Sequence, residues 1–360
     1  MKHTLILTTA AIALAGTAQA QTKEVNLLSW GGAYGNSHVQ AYVKPFEAKT
    51  GIKVSVADAD NPATPLKAQV EAGNVSTDVA SVEYADAVRL CDEGLLEEID
   101  ASILAPAADG TKAVDDFIPG AVTDCFVGTD VYSMIIAYDD AKFKDAKPAT
   151  PADFFDTTKF PGKRTMRKGA KFNLELALMA DGVPADQVYE VLGTPEGVER
   201  AFKKLGEIKK DVIWWEAGAQ PPQLLADGEV SMAFAFNGRI FDAAMKEKKP
   251  FKIVWNGQVY ELEGWVIPKG APNAEAAKEF VAFSTSTEPQ AHAAEYISYG
   301  PPRKSAAAIV GNVVGTDVPM APNLPTYSDN LKGSLAIDTN FWADHDSELK
   351  ERFSAWLAAS

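Results

Sequence analysis

The chain has 360 residues, with 34 Lys and Arg against 49 Asp and Glu, and a formal net charge of −15. Such acidity argues against nucleic acid and anionic membranes as partners, and two cysteines with no clustered histidines make a poor metal site. The length exceeds what one hydrophobic core usually serves, which predicts two lobes.

In chain order, MKHTLILTTAAIALAGTAQA comes first. Lys2 and His3 form a basic start, and Leu5 to Leu14 an apolar stretch too short to span a bilayer. Ala18-Gln19-Ala20 fits a small-residue cleavage site. Residues 1–20 therefore read as a signal peptide cleaved after Ala20, giving a periplasmic protein; the plainer alternative is a core helix. From Val25 short β-type runs alternate with helical stretches. EVNLLSW is a strand, and SHVQAYVKPFEAKTG a helix broken or kinked at Pro45 and ended by Gly51. IKVSVADAD is a strand, TPLKAQVEAG a helix, DVASVE a buried strand, and YADAVRLCDEG a helix ended by Gly94. This βαβαβ rhythm predicts a layered α/β fold with a mostly parallel sheet. In an oxidising compartment Cys91 and Cys125 are expected to pair as a staple within the first lobe.

VYSMIIAYD (131–139) is a strongly apolar strand, and the Lys-, Pro- and Asp-rich segment after it reads as a surface connection into a second lobe. There FNLELALMADG and TPEGVERAFKKLGEIKK are helical, VIWWEAG is a strand, PPQLLADG a short helix and VSMAFAFNG a strand. GWVIPKG (264–270) reads as the return crossing, followed by the amphipathic helices NAEAAKEFVAFSTS and EPQAHAAEYIS. The expected division is lobe 1 as 21–133 with 263–312, and lobe 2 as 134–262 with 313–360. Two crossover strands would form a hinge, with a ligand cleft between the lobes.

No arrangement of acid, base and nucleophile stands out. His38, His292 and His345 lie far apart, and the chain lacks HExxH, GxSxG, Walker and EF-hand patterns. No catalytic residue, metal or cofactor is expected, and the reading is a binding protein rather than an enzyme. What remains is aromatic residues beside turns. WGGAYG (30–35) lies where the first strand ends and a helix begins, the end at which open α/β sheets bind ligands. Its glycines permit close backbone approach. FAFNGRIFD (234–242) presents Arg239 just after a buried strand. There it is either a ligand group or a solvated arginine paired with Asp242. Trp214, Trp215 and Trp265 are candidates for the cleft, with core burial the better reading for at least two of them.

Several stretches together resemble the extracellular solute-binding proteins of ABC importers, in their spermidine/putrescine-binding branch. These are FEAKTGIKV (46–54), DVASVEYADAVRLCDEGLLEEID (78–100), and GWVIPKGAPNAEAAKEFVAF followed by YGPPRKSAA. The resemblance covers essentially the whole mature chain. It implies the two-lobed (type II) periplasmic binding protein fold, a ligand at the hinge, an ABC permease and ATPase as partners, and a monomer. In that family aromatic walls and acidic residues hold polyamines, since an ammonium removed from water needs a carboxylate or an aromatic face. By motif position the resemblance assigns Trp30 and Tyr34 to the aromatic pair after the first strand. It places Glu83 at a small polar ligand-touching position, Phe236 at a second-lobe tryptophan, Glu263 at the acid before the return crossing, and Tyr299 before the closing Pro-rich stretch. Two departures concern charge. Arg239 replaces an aspartate, and RKGAKFN (167–173), near Lys171 and Phe172, stands where the family carries an acid. A diamine would meet a like charge at Arg239. A zwitterion of the 4-aminobutyrate type would place its carboxylate there and its ammonium at Glu263, with Glu83 as a second acid. The alternatives are a polyamine, ferric ion, or an exported hydrolase with an unrecognised site.

Overall fold

In the computed structural model, which describes residues 24–359, nine strands form one sheet. They are β1 (Glu24–Ser29), β2 (Lys53–Asp58), β3 (Val79–Glu83), β4 (Val127–Asp139), β5 (Arg164–Arg167), β6 (Val212–Trp215), β7 (Met232–Phe236), β8 (Phe251–Val266) and β9 (Leu335–Ala336). Their order is β2-β1-β3-β8-β4-β7-β5-β6, with β9 on β8. The expected signal peptide lies outside the described residues.

The long strands β4 and β8, of 13 and 16 residues, join the two lobes. β4 is buried along almost its whole length, which is why it reads as a near-continuous apolar run. β1, β2 and β3 pair in parallel on one side, and β5, β6 and β7 on the other. The expected mostly parallel sheet needs one correction, because β8 runs antiparallel to β3 and β4, and β4 antiparallel to β7. A chain that crosses between lobes and returns must reverse direction, and local βαβ rhythm does not report that reversal. The return strand is also longer than GWVIPKG suggests. Its first half, from Phe251, mixes exposed and buried residues and so lacks an uninterrupted apolar run.

The first helix shows how Pro45 acts. Gly32–His38 is α-helical, Val39–Val43 widens into a π turn, and Lys44–Thr50 resumes the α form with Pro45 in its first turn. Proline has no N–H to continue the ladder and its ring crowds the preceding turn, so the local winding changes. Gly51, at φ 75°, ends the helix in the left-handed region with its N–H on the Glu47 carbonyl. Trp265 and Trp215 are core residues, exposed by 0% and 1%. Trp265 donates to Ser284 Oγ at 2.8 Å and Trp215 to the Phe234 carbonyl at 3.1 Å. Trp214 packs on Phe353 and Trp356 of the C-terminal helix Thr339–Ala358, so none of the three lines the cleft described below. A disulfide joins Cys91, on the helix Tyr84–Asp92, to Cys125 just before β4. No described helix is long and apolar enough to cross a membrane.

Candidate ligand site

Sheet register builds the centre of the site. Glu263 on β8 faces Glu83 on β3 and Asp130 on β4, so three carboxyls stand side by side across adjacent strands. Asp130 reaches this row through an irregularity. The β4–β8 register shifts between Gly128 and Asp130, so Thr129 is skipped and Asp130 is brought opposite Glu263. Like charges directly opposite are destabilising, and this row relieves the repulsion unequally.

Glu83 is neutralised by the second lobe. Arg167 Nη1 donates to its Oε1 at 2.7 Å and Lys171 Nζ to its Oε2 at 2.9 Å. Burial alone would raise the Glu83 carboxyl, but these two cations outweigh it and hold it down at about 2. Lys171 also lies 2.6 Å from Glu261 Oε2. Phe172, buried and held at φ 71°, turns the chain after Lys171 into the helix Asn173–Ala180. Asp130 and Glu263 have no Lys or Arg within ion-pair distance among the described residues. Burial pushes Asp130 up to about 7, and burial with the neighbouring Asp130 and Glu83 charges pushes Glu263 well above the usual carboxylate range. Asp130 Oδ1 is buried without a partner.

Arg239 lines the same cavity. It is 8% exposed, its Nε has no partner, and its Nη2 makes only long contacts to the carbonyls of Trp30 and Gly31, at 3.4 and 3.3 Å. Asp242 is engaged by Lys246 instead, and Arg239 has no acidic partner within ion-pair distance among the described residues. The Gly31-Gly32 turn makes room for it. Both glycines have positive φ, 66° and 59°, and a Cβ on Gly32 would lie 2.5 Å from Arg239 Nη1. Asn237, two residues earlier, accepts from Ser133 N at 3.0 Å and donates to the Ser298 carbonyl at 2.6 Å. It thereby ties the segment leading to Tyr299 against β4.

Aromatic rings wall the space between. Tyr34 and Tyr299 have centroids 5.6 Å apart, Tyr132 and Phe236 5.5 Å, and the Arg167 guanidinium lies 5.8 Å from the Trp30 ring centre. Trp30, Tyr34, Glu83, Phe236, Arg239, Glu263 and Tyr299 all line one cavity, together with Asp130 and Tyr132. Trp30, Phe236 and Arg239 also line a second space of about 770 Å³, rimmed by the exposed Asp58, Asp60 and Glu216.

Sequence reasoning missed Asp130, Tyr132 and Ser81. An aspartate inside the apolar run VGTDVYSMII is itself a signal, because an unpaired charge is costly in a buried strand. Glu83, expected as a second acid beside Glu263, lines the cavity with both its oxygens held by cations across the cleft.

A cleft between two lobes crossed by paired strands, lined by acidic residues and an arginine together, defines a small-solute binding protein rather than a surface for a macromolecule. The chain belongs to the bacterial extracellular solute-binding protein family, which residues 41–326 match. It is 46% identical over 347 residues to the gamma-aminobutyric acid-binding protein of Pseudomonas aeruginosa, covering 96% of this chain and 94% of that one. Among solved structures it resembles a GABA receptor, with a TM-score of 0.79, 35% identity, and coverage of 94% of this chain and 98% of that one. The PBP MotA from A. tumefaciens B6 in complex with glucopine has a TM-score of 0.84 and 31% identity, with coverage of 93% and 99%.

Proposed function

We propose that the protein binds a small ω-amino acid of the 4-aminobutyrate type and presents it for import. The observation that carries this reading is the charge layout of the cavity. Among the described residues, one cavity is lined both by a buried acidic pair without a cation, Asp130 and Glu263, and by a buried arginine without an acid, Arg239. An ammonium and a carboxylate on one short chain complete both. Tyr34, Tyr132, Tyr299, Trp30 and Phe236 pack on the methylenes between them. The names of the similar gamma-aminobutyrate-binding protein and GABA receptor support the same ligand class. A diamine fits less well, because it would need Arg239 turned away and Glu83 released from Arg167 and Lys171.

Contacts from both lobes favour the closed form, which an inner-membrane permease driven by an ATPase would receive. This assigns the chain to the periplasm, as a monomer cleaved after Ala20. The lobe division 21–133 with 263–312 and 134–262 with 313–360 belongs to the same proposal. The pairing of β4 with β8 near Glu263 and Ser133 supports it.

Calorimetry on protein stripped of carried-over ligand tests the reading, with 4-aminobutyrate and putrescine titrated separately. Binding of the amino acid and none of the diamine is expected; the reverse would make this a polyamine receptor. Arg239→Gln should then weaken 4-aminobutyrate at least about 30-fold, the lower end expected for a buried charged hydrogen bond, and unchanged affinity would remove Arg239 from the site.

A further inference from the structure

Asp130 and Glu263 are joined by a chain of hydrogen bonds that cannot be satisfied by the protons its hydroxyls carry. Ser81 Oγ lies 2.8 Å from Glu263 Oε1, Tyr34 OH lies 3.0 Å from Ser81 Oγ, and Tyr34 OH lies 3.0 Å from Asp130 Oδ2. Three contacts link four groups, while Ser81 and Tyr34 supply two protons. With both carboxyls ionised, each hydroxyl turns its proton to a carboxylate, and the Ser81 and Tyr34 oxygens then face each other at 3.0 Å with no hydrogen between them. One additional proton closes the chain head to tail, from Asp130 to Tyr34 to Ser81 to Glu263. Trp30 Nε1 also donates to Glu263 Oε1, at 2.9 Å, which favours Glu263 as the ionised end. Thr129 Oγ1, 3.0 Å from Asp130 Oδ2, has the Glu263 carbonyl as an alternative acceptor at 3.2 Å.

We propose that the ligand-free protein holds one proton on the Asp130–Tyr34–Ser81–Glu263 chain, and that the ammonium of the ligand displaces it to solvent on binding. Ser81 and Tyr34 act as positioning residues. The release step rests on the zwitterion reading above, whereas the resting proton does not.

Among the described residues, no other charge within ion-pair distance removes the need for it. From the helix Gly32–His38, Tyr34 is part of the chain and His38 is neutral, burial depressing it to about 3. Tyr42 from the π turn and Tyr132 from β4 are neutral phenols that burial raises further. Glu83 from β3 is bound by Arg167 and Lys171, Glu261 from β8 by Lys171, and Arg239 contacts carbonyls. Tyr299 is also raised by burial. Burial raises both adjacent carboxyls, Asp130 to about 7 and Glu263 well above the usual carboxylate range, so the pair loses its two protons in separate steps and holds one between them. An ammonium in contact lowers a carboxyl by about 1–3 units. Since the bound form then has the lower pKa, protons leave on binding between the two values. Affinity rises with pH across that window and declines as pH falls through it, because the free form there holds the proton that the ammonium must displace.

The first test needs no ligand. Infrared spectra of ligand-free protein at about pH 8, above Asp130's value of about 7, should show the carbonyl stretch of a buried carboxylic acid that is lost in Asp130→Asn. The asparagine amide supplies the missing donor to Tyr34, so Glu263 can ionise. Glu263→Gln does the same from the other end and serves if the first variant does not fold. No difference band between wild type and either variant would overturn the resting proton. The second test is calorimetry with 4-aminobutyrate at the same pH, in two buffers of different ionisation enthalpy. A heat difference equivalent to nearly one released proton per ligand is expected, and identical heats would overturn the release. Absence of any binding heat would strike the ligand reading instead, leaving the infrared band to decide the resting proton.

Discussion

Gly32 is where a single methyl group would reach the site. Its φ of 59° is costly for any side chain, and its missing Cβ is the space that Arg239 Nη1 occupies. Gly32→Ala should cost about 1–2 kcal/mol of stability and, by displacing Arg239, weaken 4-aminobutyrate about tenfold or more; calorimetry on the folded variant measures the second effect. Glu175 offers a separate residue-scale prediction. It is fully buried, accepts from Tyr189 OH at 2.9 Å and Trp342 Nε1 at 2.6 Å, and has a second oxygen without a partner. Burial raises it to about 7, only partly offset by these hydrogen bonds. A raised acid favours the protonated fold, so its contribution is complete below the unfolded value of about 4.3. That contribution is lost as pH rises through about 7. Denaturant melts at acidic and alkaline pH should therefore converge in Glu175→Gln. They should differ by up to about 3 kcal/mol more in wild type, and equal pH dependence in the two proteins would refute this.

Among the elements, the helix Tyr84–Asp92 is held at both ends of its influence on the site. Glu83, immediately before it, bonds Arg167 and Lys171 across the cleft, and Cys91 near its end is bonded to Cys125 ahead of β4. Closing a loop between residues 34 apart restricts the unfolded chain, and on the chain-entropy account this stabilises by about 3–4 kcal/mol. Cys91→Ser with Cys125→Ser should lower the denaturation midpoint accordingly while leaving ligand affinity close to wild type, because neither sulfur reaches the cavity. A large loss of affinity at normal stability would contradict that separation. β4 shows how far an element could be read ahead. Its apolar run VYSMIIAYD announced a buried strand, but the register shift that presents Asp130 depends on pairing with β8, and no local pattern in VGTDV encodes a partner.

At the scale of the molecule, the lobes meet through buried ion pairs as well as through the ligand cavity. Arg167 and Lys171, from the β5 side, reach Glu83 at the end of β3 and Glu261 on β8. Removing Arg167 leaves Glu83 with Lys171 alone, which must also serve Glu261, so part of the acidic charge goes uncompensated in the closed form. The molecule can avoid that by opening to water. Arg167→Ala should therefore shift the ligand-free protein toward an open form, seen as a larger radius of gyration in X-ray scattering that contracts when 4-aminobutyrate is added. An unchanged radius without ligand would mean that the ion pairs do not bias closure.

Sequence alone determined what depends on local chemistry. The alternation of β-type and helical runs marked the layers, and Gly51 marked a helix end because its φ needs no Cβ. Arg239, where the family carries an acid, pointed to a carboxylate-bearing ligand. The seven candidate residues come from segments far apart in the chain, and family resemblance could nominate them only one motif at a time. Only tertiary structure decided which charges remain unpaired. Glu83 and Glu263 look alike along the chain, yet Arg167 and Lys171 reach one and not the other. Asp130 joins Glu263 because β4 and β8 pair with a shift. The reason is physical: the state of a buried carboxyl depends on what lies within a few ångströms of it, and for these residues those neighbours come from distant parts of the chain.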